Sequence, residues 1–179
     1  MLKTFKTALI TLIFFTISPA FADDVTLDAA NLKQAVPNIY TGGQPSLADI
    51  KSMKDKGFTL IVNVRGKAEY ADWDEFNDFD EEQEVAKTGI TYVSIPFKGM
   101  AGLTKENAAK FHAALEANKA AGGKVLLHCL IGMRAGGLLG LHEYLYNDLS
   151  KKQAVQLAVD ANTERNRGYA AKAFKDLKK

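Results

Sequence analysis

"KVLLHCLIGMRAG", residues 124–136, runs from a continuous apolar stretch into a short loop with Gly132 and on into a helical run. The apolar stretch is short and bounded by glycine, and it carries no polar alternation. It therefore reads as a strand covered on both faces, the kind found in parallel sheets. The only cysteine of the chain, Cys129, stands at the end of that strand. At a strand–loop–helix junction the free backbone N–H groups of the loop and first helical turn converge, and the helix dipole adds partial positive charge. An anion is favoured there, and a thiol at that point loses its proton more easily. Arg134 offers a planar pair of donors that matches two oxygens of a phosphate or sulfate. Nucleophile and oxyanion clamp would then come from one loop, as covalent catalysis requires. The alternative is an inert buried cysteine that packs as a small hydrophobe.

Working outward, three more β-rich runs precede the loop: "NIYTG" at 38–42, "FTLIVNV" at 58–64 and "ITYVSIP" at 90–96. Each is bounded by Gly, Pro or Asn. Helical patterns lie between them. "SLADIKSMKDKG" has Ser46 as N-cap with Asp49 three residues on, an apolar stripe of Leu47, Ile50 and Met53, and Gly57 as the stop. "LTKENAAKFHAALEANKAAGG" opens at Thr104, and Ser150 caps "SKKQAVQLAVDAN". The tail "RNRGYAAKAFKDLKK" reads as a last helix. Strands alternating with helices predict an α/β fold: a central, mainly parallel sheet of four to five strands with helices on both faces. Gly136, Gly137 and Gly140 weaken the helix after the loop, and close packing on the sheet is the expected reason.

The segment "EYADWDEFNDFDEEQE", residues 69–84, holds nine acids with Trp73, Phe76 and Phe79 interleaved. It reads as a solvated face that tucks its aromatics inward; a lid over the loop or a source of a proton donor is the sharper alternative.

The chain opens with Lys3 and Lys6, an apolar stretch from Ala8 to Ile17, and Ala20-Phe21-Ala22. This is the pattern of a secretory signal, with cleavage expected before Asp23 and a periplasmic or secreted product. Residues 1–22 are thus assigned as signal peptide and 23–179 as one domain, a length that suits a single full core. The signal holds two of the 23 basic residues, so the remainder balances at 21 basic against 21 acidic. That balance excludes a basic nucleic-acid binder. No stable membrane insertion is expected after cleavage. With one cysteine there is no internal disulfide, and a leftover thiol in an oxidising compartment is a liability unless it has a task. His112 and His142 lack metal-ligand spacing, so neither a metal nor another cofactor is expected.

"HCLIGMR" resembles the active-site loop of the cysteine-dependent phosphatase superfamily, which reads His-Cys-x-x-Gly-x-x-Arg followed by Ser or Thr. "IYTGGQPSLADIKSMKDKGFTLIVNVR" and "GITYVSIPF" are similar to the bacterial family called beta-lactamase hydrolase-like or DUF442, and the likeness runs from about Asn38 to Leu145. The resemblance implies that Cys129 is the nucleophile and Arg134 the phosphate-binding arginine. It makes the backbone amides from Leu130 through Ile131, Gly132 and Met133 to Arg134 the anion cradle, with His128 orienting the loop. For Arg65 a buried ion pair at the sheet end is the favoured reading over substrate contact. The implied partner is a small anionic or phosphorylated substrate.

Three departures from the phosphatase pattern bear on function. Only four residues separate Cys129 from Arg134, where tyrosine and dual-specificity phosphatases have five; the shorter ring resembles that of rhodanese-type sulfurtransferases. Ala135 stands where phosphatases place the hydroxyl that assists departure of the sulfur. The stretch "PFKGMAGLT", which corresponds to the usual general-acid loop, has no carboxylate, leaving Asp72 or Asp74 of the acidic segment as candidates. A phosphatase-like hydrolase is the leading expectation. Against it stand a sulfurtransferase or persulfide carrier, and a non-catalytic anion- or partner-binding module.

Overall fold

The computed structural model describes residues 25–66, 69, 79–161, 165–175 and 177. The expected signal and both Asp72 and Asp74 lie outside the described residues. Among the described residues, five strands form one sheet: β1 (Lys33–Val36), β2 (Ile39–Gly42), β3 (Phe58–Asn63), β4 (Thr91–Ser94) and β5 (Lys124–His128). Their spatial order is β1-β2-β5-β3-β4, with β2, β5, β3 and β4 mutually parallel. The parallel sheet matches the expectation. Strand β1 was not anticipated and pairs antiparallel with β2. Its sequence KQAV has little apolar pattern because it is an exposed edge; the turn behind it is set by Pro37 and by Asn38 at φ 62°.

Among the described residues, six α-helices accompany the sheet: α1 (Leu47–Met53), α2 (Glu81–Ala86), α3 (Lys105–Asn118), α4 (Met133–Tyr146), α5 (Lys151–Asp160) and α6 (Arg165–Phe174). The caps read from sequence are present. Ser46 and Asp49 form a reciprocal capping box, Ser150 and Gln153 form another, and Thr104 accepts from the Asn107 amide. Gly57 takes φ 84° after α1.

The two faces of the sheet hold separate apolar clusters. Leu60, Val62, Val125 and Leu127 pack with Phe111, Leu138, Leu141 and Ala158, under α3, α4, α5 and α6. Ile61, Leu126 and Phe58 pack with Ile50, Met53 and Val85 of α1 and α2. Phe58 and Ile61 share a face although three apart, because the register shifts between Phe58 and Leu60; a bulge there turns Phe58 to the other side. Helix α4 is buried along ten residues, so its sequence carries no amphipathic stripe. A Cβ on its Gly140 would lie 2.5 Å from the Ala154 carbonyl, and one on Gly137 would lie 2.8 Å from the Met100 methyl. Close packing is thus the reason for these glycines, but the approach is to α5 and to the turn at Met100–Gly102 rather than to the sheet.

The chain runs outward through β3 and β4, with α1 and α2 on one face, then returns through α3 on the other face to place β5 between β2 and β3. The C-terminal end of β5 is where the winding reverses, which is where open α/β sheets form ligand crevices.

Candidate active site

Cys129 follows the last residue of β5 and stays registered to the sheet through its N–H, which donates to Gly42 O at 3.3 Å. The residue is 1 % exposed and belongs to the larger apolar cluster. The sulfur still has a polar partner: the Gly132 N–H donates to Sγ at 3.1 Å. Gly132 reaches that position at φ 88°, a conformation glycine adopts without strain, and it is the N-cap of α4. Helix α4 therefore starts one residue before Arg134. Ile131 projects outward from the loop and is 44 % exposed; Leu130 and Met133 are half-buried.

The Gly-Gly-Gln-Pro-Ser turn after β2 clamps the loop from the side. Gly43 pairs with Ile131, the Gln44 N–H donates to Leu130 O at 3.1 Å, and Asn31 donates to Ile131 O at 3.1 Å. A Cβ on Gly43 would sit 2.7 Å from Leu130 O, so the close approach requires glycine.

Arg134 is held by an acceptor set that sequence reasoning did not foresee. Its Nη1 donates to Glu69 Oε1 at 2.6 Å, to Phe97 O at 2.7 Å and to Val64 O at 3.2 Å, while Nη2 donates to Glu69 Oε2 at 2.5 Å. Burial pulls the Arg134 pKa down, yet the Glu69 hydrogen bond and the charge and hydrogen bond of Cys129 outweigh it and the net shift is upward. Burial likewise pushes Glu69 up, but Arg134, the Gly66 N–H and Arg65 carry its carboxyl below the usual range. A guanidinium has five N–H donors. The acceptors above engage Nη1 and one hydrogen of Nη2, and the guanidinium also hydrogen-bonds the Cys129 side chain, so its remaining donors face the sulfur where a planar oxyanion would sit.

Behind the loop lies a buried polar network centred on Glu81, at the start of α2 and 3 % exposed. Its Oε2 accepts from Gln44 Nε2 at 3.0 Å and from Asn63 Nδ2 at 2.9 Å. Its Oε1 lies 2.8 Å from His128 Nε2, close but not aligned as a hydrogen bond. His128 Nδ1 faces Cys129 O at 3.4 Å, so both ring nitrogens look at oxygen. Arg65, 1 % exposed, donates to Gln44 Oε1 at 2.5 Å and to Glu69 O at 3.2 Å, which ties the end of β3 to the turn after β2. Asn63 closes the set by donating to Tyr92 Oη at 2.8 Å and accepting from the Arg65 N–H at 2.7 Å.

The structure thus brings His128, Cys129, Leu130, Ile131, Gly132, Met133 and Arg134 together at one strand end. The acidic segment departs from a purely solvated face, because Glu69 and Glu81 at its two ends turn inward, to Arg134 and to the network. Nothing in local periodicity marks those two among nine acids. His112 and His142 do meet: Nδ1 of the former is 3.2 Å from Nε2 of the latter, whose own Nδ1 is 2.9 Å from Glu143 Oε1. Among the described residues, no three His, Cys, Asp or Glu side chains converge as a metal site. Among them too, no helix is long and apolar enough to cross a membrane.

A parallel sheet with helices on both faces, whose inner strand ends in a cysteine loop followed by an arginine, defines an α/β domain of the cysteine-dependent phosphatase class. The family model "Beta-lactamase hydrolase-like protein, phosphatase-like domain" matches residues 31–145, and the chain belongs to that family. Among solved structures it is similar to a putative phosphatase (DUF442) from Shewanella putrefaciens CN-32, at 22 % identity over 83 % of this chain and 93 % of that one, with a TM-score of 0.60. It is also similar to TpbA of P. aeruginosa, solved in complex with pTyr, at 18 % identity over 88 % of this chain and 90 % of that one, with a TM-score of 0.57. PTPMT1, solved in complex with PI(5)P, aligns at 14 % identity over 81 % of this chain and 95 % of that one, with a TM-score of 0.62. No curated protein matches the chain.

Proposed function

We propose that the protein is an exported phosphatase in which the Cys129 thiolate attacks a phosphate monoester and Arg134 binds the transferring phosphoryl group. The observation that carries this is the convergence on one sulfur of the Gly132 N–H and a guanidinium already oriented by Glu69. Donors fixed before substrate arrives stabilise developing charge without reorganisation. The sulfur lone pair forms an S–P bond as the P–O ester bond breaks, and the leaving oxygen takes a proton from water. Water then attacks phosphorus and passes its proton to the hydroxide left by the first step, the S–P bond breaks, the thiolate is restored and inorganic phosphate is released.

Two features narrow the substrate. Among the described residues, the carboxylates tied to the loop, Glu69 and Glu81, are both engaged, which favours a leaving group that departs without an acid. Ile131 at the mouth offers apolar surface. Both favour an aryl phosphate, the chemistry of phosphotyrosine, as TpbA's bound pTyr also suggests. Ala135 is fully buried and brings no hydroxyl to the sulfur, so the phosphocysteine breaks down slowly. Export rests on the basic, apolar and small-residue pattern of residues 1–22.

Rapid-quench kinetics with para-nitrophenyl phosphate test this. The expected result is a burst of one nitrophenol per protein and a phosphocysteine at Cys129, absent in Cys129→Ser. No burst, no vanadate binding and no phosphocysteine would overturn it; gain of one sulfur atom's mass at Cys129 after thiosulfate treatment would instead indicate sulfur transfer. Material recovered from the periplasm should begin at Asp23.

A further inference from the structure

We propose that Glu81 is a positioning residue that sets the geometry of the cysteine loop from behind, a role that rests on Cys129 being the nucleophile. Glu81 touches both walls between which the loop hangs. On one side Oε1 faces His128, the residue before the cysteine. On the other, Oε2 receives the Gln44 side chain, and the Gln44 N–H holds Leu130 O. One buried carboxylate thus ties the end of β5 to the turn after β2. The distance between those two anchors decides where the Gly132 N–H points relative to the sulfur. An ionisable group this deeply buried costs several kcal/mol to desolvate unless it is paired. Here it accepts hydrogen bonds from Gln44 in the turn and Asn63 of β3, and it faces His128 of β5.

Charge and position make opposite predictions, which separates them. Among the described residues, the charged or titratable groups around the site are Arg134 of α4, Arg65 after β3, Glu69, His128 of β5, Tyr92 of β4 and Glu81 itself, besides the Cys129 sulfur. A carboxylate near a thiolate opposes ionisation of the sulfur, so by charge alone its removal makes the thiolate easier to form. If Glu81 acts by position, its removal lets the Gly132 N–H drift, and the thiolate becomes harder to form.

The experiment follows the rate of Cys129 alkylation by iodoacetamide against pH in the full chain, with kcat and KM for para-nitrophenyl phosphate. Four proteins are compared: wild type, Glu81→Gln, Glu81→Asp, and Val85→Ala as a packing control on the same helix. In Glu81→Gln the alkylation midpoint should rise by about one pH unit, a tenfold loss of thiolate at a given pH. Its kcat should fall about tenfold to a hundredfold, the scale of a displacement on the order of 1 Å, with little change in KM. Glu81→Asp keeps the charge but shortens the reach, and should shift the midpoint the same way; it decides the matter if Glu81→Gln fails to fold. A midpoint that stays or falls in both variants, or that rises equally in Val85→Ala, overturns the positioning role. A wild type whose alkylation is not slowed by phosphate overturns the phosphatase reading itself, a result separate from any effect of Glu81.

Discussion

The Glu69 carboxylate straddles the terminal nitrogens of Arg134, with one oxygen 2.6 Å from Nη1 and the other 2.5 Å from Nη2. Two carboxylate oxygens on one guanidinium could either block the phosphate position or brace the arginine for it. The hydrogen bond that Arg134 keeps to the Cys129 side chain favours bracing. Glu69→Gln should then lower kcat/KM about tenfold to a hundredfold, the size of a charged hydrogen bond worth ~1.5–3 kcal/mol. Steady-state kinetics decide this; a rise in kcat/KM would mean that Glu69 competes with substrate.

Gly43 meets the loop at a distance no side chain tolerates, since its Cβ would approach Leu130 O to 2.7 Å and Ala30 to 3.1 Å. The obstacles are mainly backbone, so the loop must move. Gly43→Ala should destabilise the fold by about 1–3 kcal/mol, as overpacking does. Its loss of aryl phosphatase activity should exceed what the unfolded fraction explains. Denaturant melts and kinetics on the same sample compare the two, and a stable variant with full activity would show that the clamp does not shape the site.

Glu143 is a buried carboxylate at the opposite end of the sheet. Burial pushes it up, but hydrogen bonds from His142 and Asn147 and the His142 charge leave it below the usual range. A carboxylate lowered by folding stabilises above its unfolded value of roughly 4.3 and loses that contribution as pH falls through the folded value. Glu143→Gln should therefore melt several degrees below wild type at neutral pH, for a loss of about 1–3 kcal/mol. The gap should close on acidification below pH ~4. Thermal melts across pH check this, and a gap that widens in acid contradicts it.

Much of the fold was legible because its signals are local. Continuous apolar runs marked β3 and β5, and Ser46, Thr104 and Ser150 marked helix starts that the structure places within a residue. The cysteine loop was legible for the same reason: His128 to Arg134 are contiguous, so their chemistry is written in order. Strand β1 was missed because an exposed edge needs no apolar alternation. Glu69 and Glu81 were missed because their partners are 65 and 47 positions away along the chain, and within an acidic run an inward-facing glutamate looks like its solvated neighbours. The reason for Gly140 was only half legible: crowding could be inferred, but not that a helix rather than the sheet supplies it.

The most direct test of the account is the pH dependence of Cys129 alkylation with and without inorganic phosphate. An anionic sulfur held by Gly132 and Arg134 should react at a rate that stays flat well below the ordinary thiol value of about 8.5, and phosphate should slow it. A sulfur that is inert at every pH, or that reacts only as an ordinary thiol ionises and ignores phosphate, would contradict it.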